Sequence, residues 1–175
     1  RTDGAWLFGG NANLPSDVNF KWAKEVNDDF HARFNAHARS YEYKIHHHPV
    51  RSSLKTGYYL WEPRSLNIND MRKAAAFLVG EHDFSCFRGS MCQAKSPIKT
   101  IEYLQIDEIG DDLIIKVKAN AFLHHMVRNL VGTLLKVGRG EESTEWMLSV
   151  LDSKDRKEAG PTAEPQGLYF VKAHY

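Results

Sequence analysis

Two segments of alternating polarity, IEYLQIDEI (101–109) and DLIIKVKA (112–119), are separated only by Gly110 and Asp111. So short a link can reverse the chain, but it cannot return it to a parallel strand, which needs a crossover of a dozen or more residues. The pair is therefore an antiparallel hairpin, and the fold must contain an antiparallel sheet. SYEYKIHHH (40–48) reads as another strand, with Tyr41, Tyr43 and Ile45 on one face and Pro49 as its stop. GLYFVKAHY (167–175) reads as a closing strand, and VNFKWAKEV (18–26) alternates like a half-buried one. Helices are expected in DGAWLFGG, ended by Gly9-Gly10 before a turn at Leu14-Pro15, and in NINDMRKAAAFLVG, with Met71, Ala75, Leu78 and Val79 apolar and Gly80 as terminator. HHMVRNLVGTLLKVG and STEWMLSVLDS are amphipathic helices. No long parallel crossover links the strands, so the fold class is α+β, with a mixed, mainly antiparallel sheet and helices on one side.

With 42% apolar and 26% charged residues, the 175-residue chain has the composition of a globular protein with a real core. No apolar run approaches the roughly 20 residues of a membrane span, and the first residues carry neither a basic leader nor an apolar signal core. A soluble, cytoplasmic protein with no membrane partner is expected. Cys86 and Cys92 form no C-x-x-C pair and read as free thiols in a reducing compartment.

The net charge of +1 hides a segregation along the chain. From Arg33 to Lys55 five bases face the single acid Glu42, and Arg88, Lys95 and Lys99 meet no acid between them. Residues 141–158 carry six acids against three bases. Such separation suits a polyanion-binding face, because phosphate neutralisation needs its cations on one side of the molecule; clustering on a solvated surface is the alternative.

Several residues invite chemistry. Neighbours on a strand point to opposite faces, so of His46-His47-His48 only His46 and His48 could share a metal, and no third ligand is evident. His124-His125 stands at a helix start, where an imidazole or an amide can meet an anion, or where either ring can cap or pack. Tyr41 lies in the basic stretch, where a phenol could stack on a base or exchange a proton; a core role is the alternative. Arg128 is set among Met126, Val127, Leu130, Val131, Leu134 and Leu135, where a guanidinium is costly unless a carboxylate or phosphate pairs with it or its head reaches water.

GGNANLP, DDFHARFNAHARSYEYKI, GEHDFSCFR, CQAKSP, ANAFLHHMVRNLVGTLLKVG and GLYFVKAHY occur in this order across essentially the whole chain. In these motifs and their spacing the chain resembles the tRNA pseudouridine synthase A family. The resemblance implies two ferredoxin-like halves about a pseudo-two-fold, a homodimer holding one tRNA across both subunits, and a reaction without cofactor or metal. The implied activity is isomerisation of uridine to pseudouridine in the anticodon stem-loop. On this resemblance Tyr41 matches the family's active-site tyrosine, Arg128 the arginine that pairs with the catalytic aspartate, and Leu168 an apolar residue beside the flipped base. His31, Arg33, Arg39, Arg88 and Lys95 are expected RNA contacts.

The family's catalytic aspartate lies in a segment of the form G-R-T-D-A-G-V-H. Here Arg1-Thr2-Asp3 is followed by Gly4-Ala5-Trp6, and Asn11 arrives too soon for the strand that follows the family's loop. RTDGAW is instead expected to open a helix, with Thr2 or Asp3 as its cap. The chain then corresponds to a C-terminal part: residues 1–38 a remnant of the N-terminal subdomain and its connection, residues 39–175 the C-terminal catalytic subdomain, inactive alone. A non-catalytic RNA-binding module and a metal-dependent hydrolase using the histidines are the competing readings.

Overall fold

The computed structural model describes residues 2–175 and divides between Asn35 and Ala36 into two units. In the first, helix α1 (Asp3–Asn11) starts at Thr2, whose Oγ1 accepts a hydrogen bond from the Ala5 amide at 3.3 Å. The helix continues through Gly9 and Gly10, the expected terminators. Gly10 has a separate reason to lack a side chain, since a Cβ there would stand 2.7 Å from the Phe20 ring. Residues 18–26 form no strand. Among the described residues of this unit no strand lies beside them, and the Phe20 backbone is taken up by one side chain: its amide donates to Asn11 Oδ1 at 2.7 Å, and its carbonyl accepts from Asn11 Nδ2 at 3.0 Å. Phe20, Trp22 and Val26 are exposed accordingly.

The second unit, Ala36–Tyr175, runs β1 (Ala38–His47), β2 (Leu60–Glu62), α2 (Ile68–Ala76), β3 (Gly80–Asp83), β4 (Ile98–Ile109), β5 (Asp112–Ala119), α3 (Met126–Gly138), α4 (Trp146–Ser153) and β6 (Leu168–His174). The sheet order is β2-β1-β5-β4-β3, with β6 also on β1. Every pairing is antiparallel except β1 with β2. The β4–β5 turn has Gly110 at φ +59°, left-handed backbone that glycine adopts without strain. One edge of β1 pairs with β5. The other is shared, β6 taking Ala38 to Tyr43 and β2 taking Ile45 to His47, with a bulge between Ser40 and Tyr41.

Tyr43 and Ile45 of β1, Ile101 and Ile106 of β4, and Ile115 and Val117 of β5 meet Met71, Ala74 and Ala75 of α2, Leu130 and Leu134 of α3, and Met147 of α4 in one core. Helix α2 stops at Ala76, and Gly80, at φ +108°, opens β3 instead of ending the helix. Ala74 is buried where Val79 was expected, because Val79 lies beyond the helix and is exposed.

Helix α3 is buried at every position except Arg128 and Lys136. It is seated by Asn129, wholly buried, whose Nδ2 donates to the Phe87 carbonyl at 2.8 Å. Asn129 Oδ1 accepts from Thr162 Oγ1 at 2.6 Å and from an Arg156 amino group at 3.2 Å. One turn on, the 160–163 segment crosses so close that a Cβ on Gly132 would fall 1.7 Å from the Pro161 carbonyl oxygen.

Candidate active site

Tyr41 leaves β1 on the core-facing side, and Leu168 opens β6 opposite Tyr43. Arg128 stands in the first turn of α3, and residues 120–125 connect that helix to β5. These elements bring Tyr41, Arg128 and Leu168 to one cleft of about 300 Å3, together with Phe122, His124 and His125.

The Tyr41 ring is held edge-on by two others. The Phe122 centroid lies 5.1 Å away at 83°, and the Phe170 centroid 5.4 Å away at 71°. Burial raises the Tyr41 phenol above its ordinary value of 10.0, and the Arg39 charge only partly offsets this. The hydroxyl is thus protonated at neutral pH, and any proton transfer through it must start from the phenol.

Arg128 Nε donates to the Ala163 carbonyl at 2.6 Å, and the Ala163 amide donates back to the Arg128 carbonyl at 3.1 Å. Among the described residues this half-buried guanidinium meets a backbone acceptor, which occupies its Nε. His125 caps α3 in the left-handed region at φ 60°, and its ring stacks on His124 with centroids 3.8 Å apart. Partial desolvation, then the neighbouring His124 and Arg128, hold the His125 pKa below its usual 6.5, so the ring facing the cleft is neutral at pH 7.

The expected RNA contacts are differently placed. His31 and Arg33 belong to the first unit, where His31 Nδ1 accepts from the Arg33 amide at 3.1 Å and Arg33 lies over the Phe34 ring at 5.7 Å. Arg39 donates to the Ala36 and Asn120 carbonyls at 2.8 and 3.0 Å. Arg88 is engaged with the carbonyls of Cys92 and Ala94, both at 2.9 Å, stapling the 88–94 loop. Lys95 is exposed. Much of the basic stretch is likewise committed: Lys99 donates to the Ser96 and Ile98 carbonyls, and Lys55 to Asp112.

His46 Nδ1 lies 2.9 Å from Asp112 Oδ1, and its ring stacks on His48 at 5.8 Å. Among the described residues no three His, Cys, Asp or Glu side chains are grouped to hold a metal. Both thiols are free; burial pushes Cys86 up to about 12. Burial also acts to raise Cys92, but the His124 and Ala94 amides and Arg88 outweigh it and lower the net value.

Sequence reasoning missed Phe122 and Phe170. Phe170 was within reach, being two residues from Leu168 on a strand and therefore on the same face. Phe122 lies in an irregular connection, where no periodicity signals direction.

The profile of the family described as tRNA pseudouridine synthase matches residues 74–175, the stretch that includes β3 to β6 and contributes Phe122, Arg128 and Leu168 to the cleft. The chain belongs to the tRNA pseudouridine synthase family. It is 50% identical over 171 residues to tRNA pseudouridine synthase A of Vibrio campbellii, the match covering 98% of this chain and 65% of that protein. Its identity to tRNA pseudouridine synthase A of Pseudomonas aeruginosa is 47%, covering 98% of this chain and 60% of the relative. To that of Coxiella burnetii it is 45%, covering 100% and 67%. The chain thus spans about two thirds of the length of the curated relatives it matches. No helix among the described residues is long and apolar enough to cross a membrane.

Proposed function

We propose that this chain forms the base-holding wall of a tRNA pseudouridine synthase that isomerises uridine in the anticodon stem-loop, acting as a cytoplasmic homodimer. Residues 39–175 are the catalytic subdomain in this reading, and residues 1–38 the remnant of a further subdomain and its connection. The observation that carries it is the convergence of Tyr41, Arg128 and Leu168, drawn from three elements, on one cleft.

The reaction breaks the bond from uracil N1 to ribose C1′, turns the base, joins C5 to C1′ and moves the C5 proton to solvent while N1 gains one. Atoms and electrons balance without an oxidant, so neither cofactor nor metal is required. A target uridine in a stem must first leave the stack, at a cost of a few kcal/mol. Tyr41, framed by Phe122 and Phe170, stacks on the detached base and relays the C5 proton, its oxygen taking that proton as its own O–H proton passes to solvent. Leu168 closes the pocket on its apolar side. The hydrogen bond to Ala163 occupies Arg128 Nε and leaves the two terminal amino groups for the catalytic aspartate of the family's G-R-T-D loop. Arg39 and Lys95, with His31, Arg33 and Arg88, are the RNA contacts of this reading, Arg88 acting through the loop it staples.

Tyr41→Phe in a complete enzyme tests it. Stacking, worth about 1–3 kcal/mol per base, survives while the hydroxyl is lost. tRNA affinity is expected to hold and tritium release from C5-labelled tRNA to vanish; near-normal turnover would sink the assigned role.

Residues 1–175 contain no G-R-T-D-A-G-V-H segment, and Asp3 sits in the first turn of α1. Chain 1–175 assayed by itself is therefore expected to make no pseudouridine, and to bind RNA with an affinity that falls steeply with salt. Pseudouridine formation that disappears on Asp3→Asn would overturn this assignment of Asp3.

A further inference from the structure

The sheet has a second concavity, away from the Tyr41 cleft. Side chains alternate along β1, so Tyr41, Tyr43 and Ile45 face the helices while Lys44 and His46 face the other way. On that outer side lies a pocket of about 240 Å3. Its walls come from the 51–57 loop, from β2 with the residue before it, and from the segment leading into β6.

Its chemistry is threefold. Arg51 supplies positive charge. Lys55 is paired within the protein, donating to both Asp112 oxygens at 2.7 and 2.8 Å with His46 Nδ1 at 3.3 Å, so it orders the wall beside Arg51. Arg51 is exposed and makes no ion pair among the described residues. Tyr59 and Trp61 supply aromatic surface. The Tyr59 ring lies 5.4 Å from the Lys55 ammonium, and Trp61 is held by its indole N–H, which donates to the His48 carbonyl at 2.8 Å. Glu164 and Gln166, hydrogen-bonded to each other, supply an acceptor and a donor from a separate segment.

Cation, ring and paired polar groups are what a phosphorylated nucleoside requires. The phosphate takes charge-assisted hydrogen bonds, the base takes an aromatic face, and the ribose hydroxyls donate to a carboxylate. A cation alone would serve any anion, and an aromatic wall alone any apolar group; their combination with an acid that repels free phosphate selects the whole nucleotide. The volume falls below the 300–1,000 Å3 of drug-sized sites and so admits a single unit. We propose that this pocket is a second nucleotide-binding site, seating one ribonucleotide with its phosphate on Arg51 and its base against Trp61. The proposal does not depend on the chemistry assigned to the Tyr41 cleft.

The segment that forms the polar wall also gives the site a route to that cleft. Tyr43 donates to the Glu164 carbonyl at 2.6 Å, and Leu168 follows two residues after Gln166. A ligand held by Glu164 and Gln166 therefore grips the segment that positions Leu168.

The test is tryptophan fluorescence of chain 1–175 titrated with UMP and AMP. A saturable change is expected, lost in Trp61→Phe, with uridine lacking phosphate bound about tenfold more weakly and Arg51→Ala weakening UMP by a similar factor. Both substituted residues are exposed, so circular dichroism should show the variants folded. A uridine hexanucleotide that displaces UMP identifies the occupant as one unit of an RNA chain, and failure to displace it identifies a free mononucleotide. No saturable change with either nucleotide, or a response undiminished by both substitutions, overturns the site.

Discussion

At Arg128 a charge sits on an apolar helix, and a carbonyl takes one of its donors, Nε. The hydrogen bond to Ala163 ties α3 to the segment that leads into β6, so the residue has a structural duty independent of any catalytic one. Arg128→Met in chain 1–175 removes a charge-assisted bond and strands a carbonyl, while relieving a partly desolvated guanidinium. A net loss of about 1–2 kcal/mol is expected in urea unfolding. A neutral or stabilising effect would mean that the guanidinium belongs to an absent carboxylate alone. Arg128 was conspicuous in the sequence because a charge among leucines demands a partner. That the partner is a peptide carbonyl 35 positions away was not legible, since backbone acceptors carry no residue signature.

Elements were legible in proportion to their length and regularity. The β4–β5 hairpin, β1, β6 and the helices α2 to α4 emerge from periodicity and punctuation, whereas β2 and β3, of three and four residues, are too short to display a period. Segment 18–26 alternates as well as a true strand does, but alternation acts only where a second strand supplies hydrogen bonds. Of the cleft, Tyr41, Arg128 and Leu168 on regular elements and the His124-His125 pair were found, whereas Phe122 in the connection and Phe170 on β6 were not. Helix α3 depends on a contact that pattern could not reveal, the passage of the Pro161 carbonyl over Gly132. Gly132→Ala is expected to cost about 3 kcal/mol or more, because backbone must move on both sides, despite alanine's better helix propensity. A thermal melt within a degree or two of the unsubstituted chain would show that the crossing segment yields freely.

Across the whole molecule, the buried Glu62 and the partly buried Asp112 are paired carboxylates that lend the fold acid sensitivity. Burial alone would raise Glu62, but hydrogen bonds from Arg64 and Arg139 prevail and leave it below its ordinary 4.5; Asp112, against the same opposition, is brought below 3.8 by Lys55 and His46. A depressed pKa stabilises the fold fully above the unfolded value and progressively less as pH falls through the folded one. The urea midpoint should therefore gain no slope from this pair between pH 7 and about pH 5, and should drop below about pH 4.5. Glu62→Gln is expected to cost about 3 kcal/mol at pH 7, by leaving Arg139 without its buried partner, and to flatten the acid slope. An unchanged slope would place the acid sensitivity elsewhere.

The pairing of β6 on β1 also dictates the order in which the molecule can be made. Tyr43 and its acceptor at Glu164 are 121 positions apart, and the pocket around Tyr41 closes only when Leu168 and Phe170 arrive. During synthesis from the N-terminus, β1 emerges early and must wait with the Ala38 to Tyr43 edge uncovered until nearly all the rest has followed. An uncovered edge is a template for mispairing, and between Ala38 and Tyr43 only Arg39 and Glu42 carry charge to discourage it. Growing chains are thus most vulnerable to aggregation between the appearance of β1 and that of β6, and a polypeptide interrupted in that interval has no enclosed place for a base.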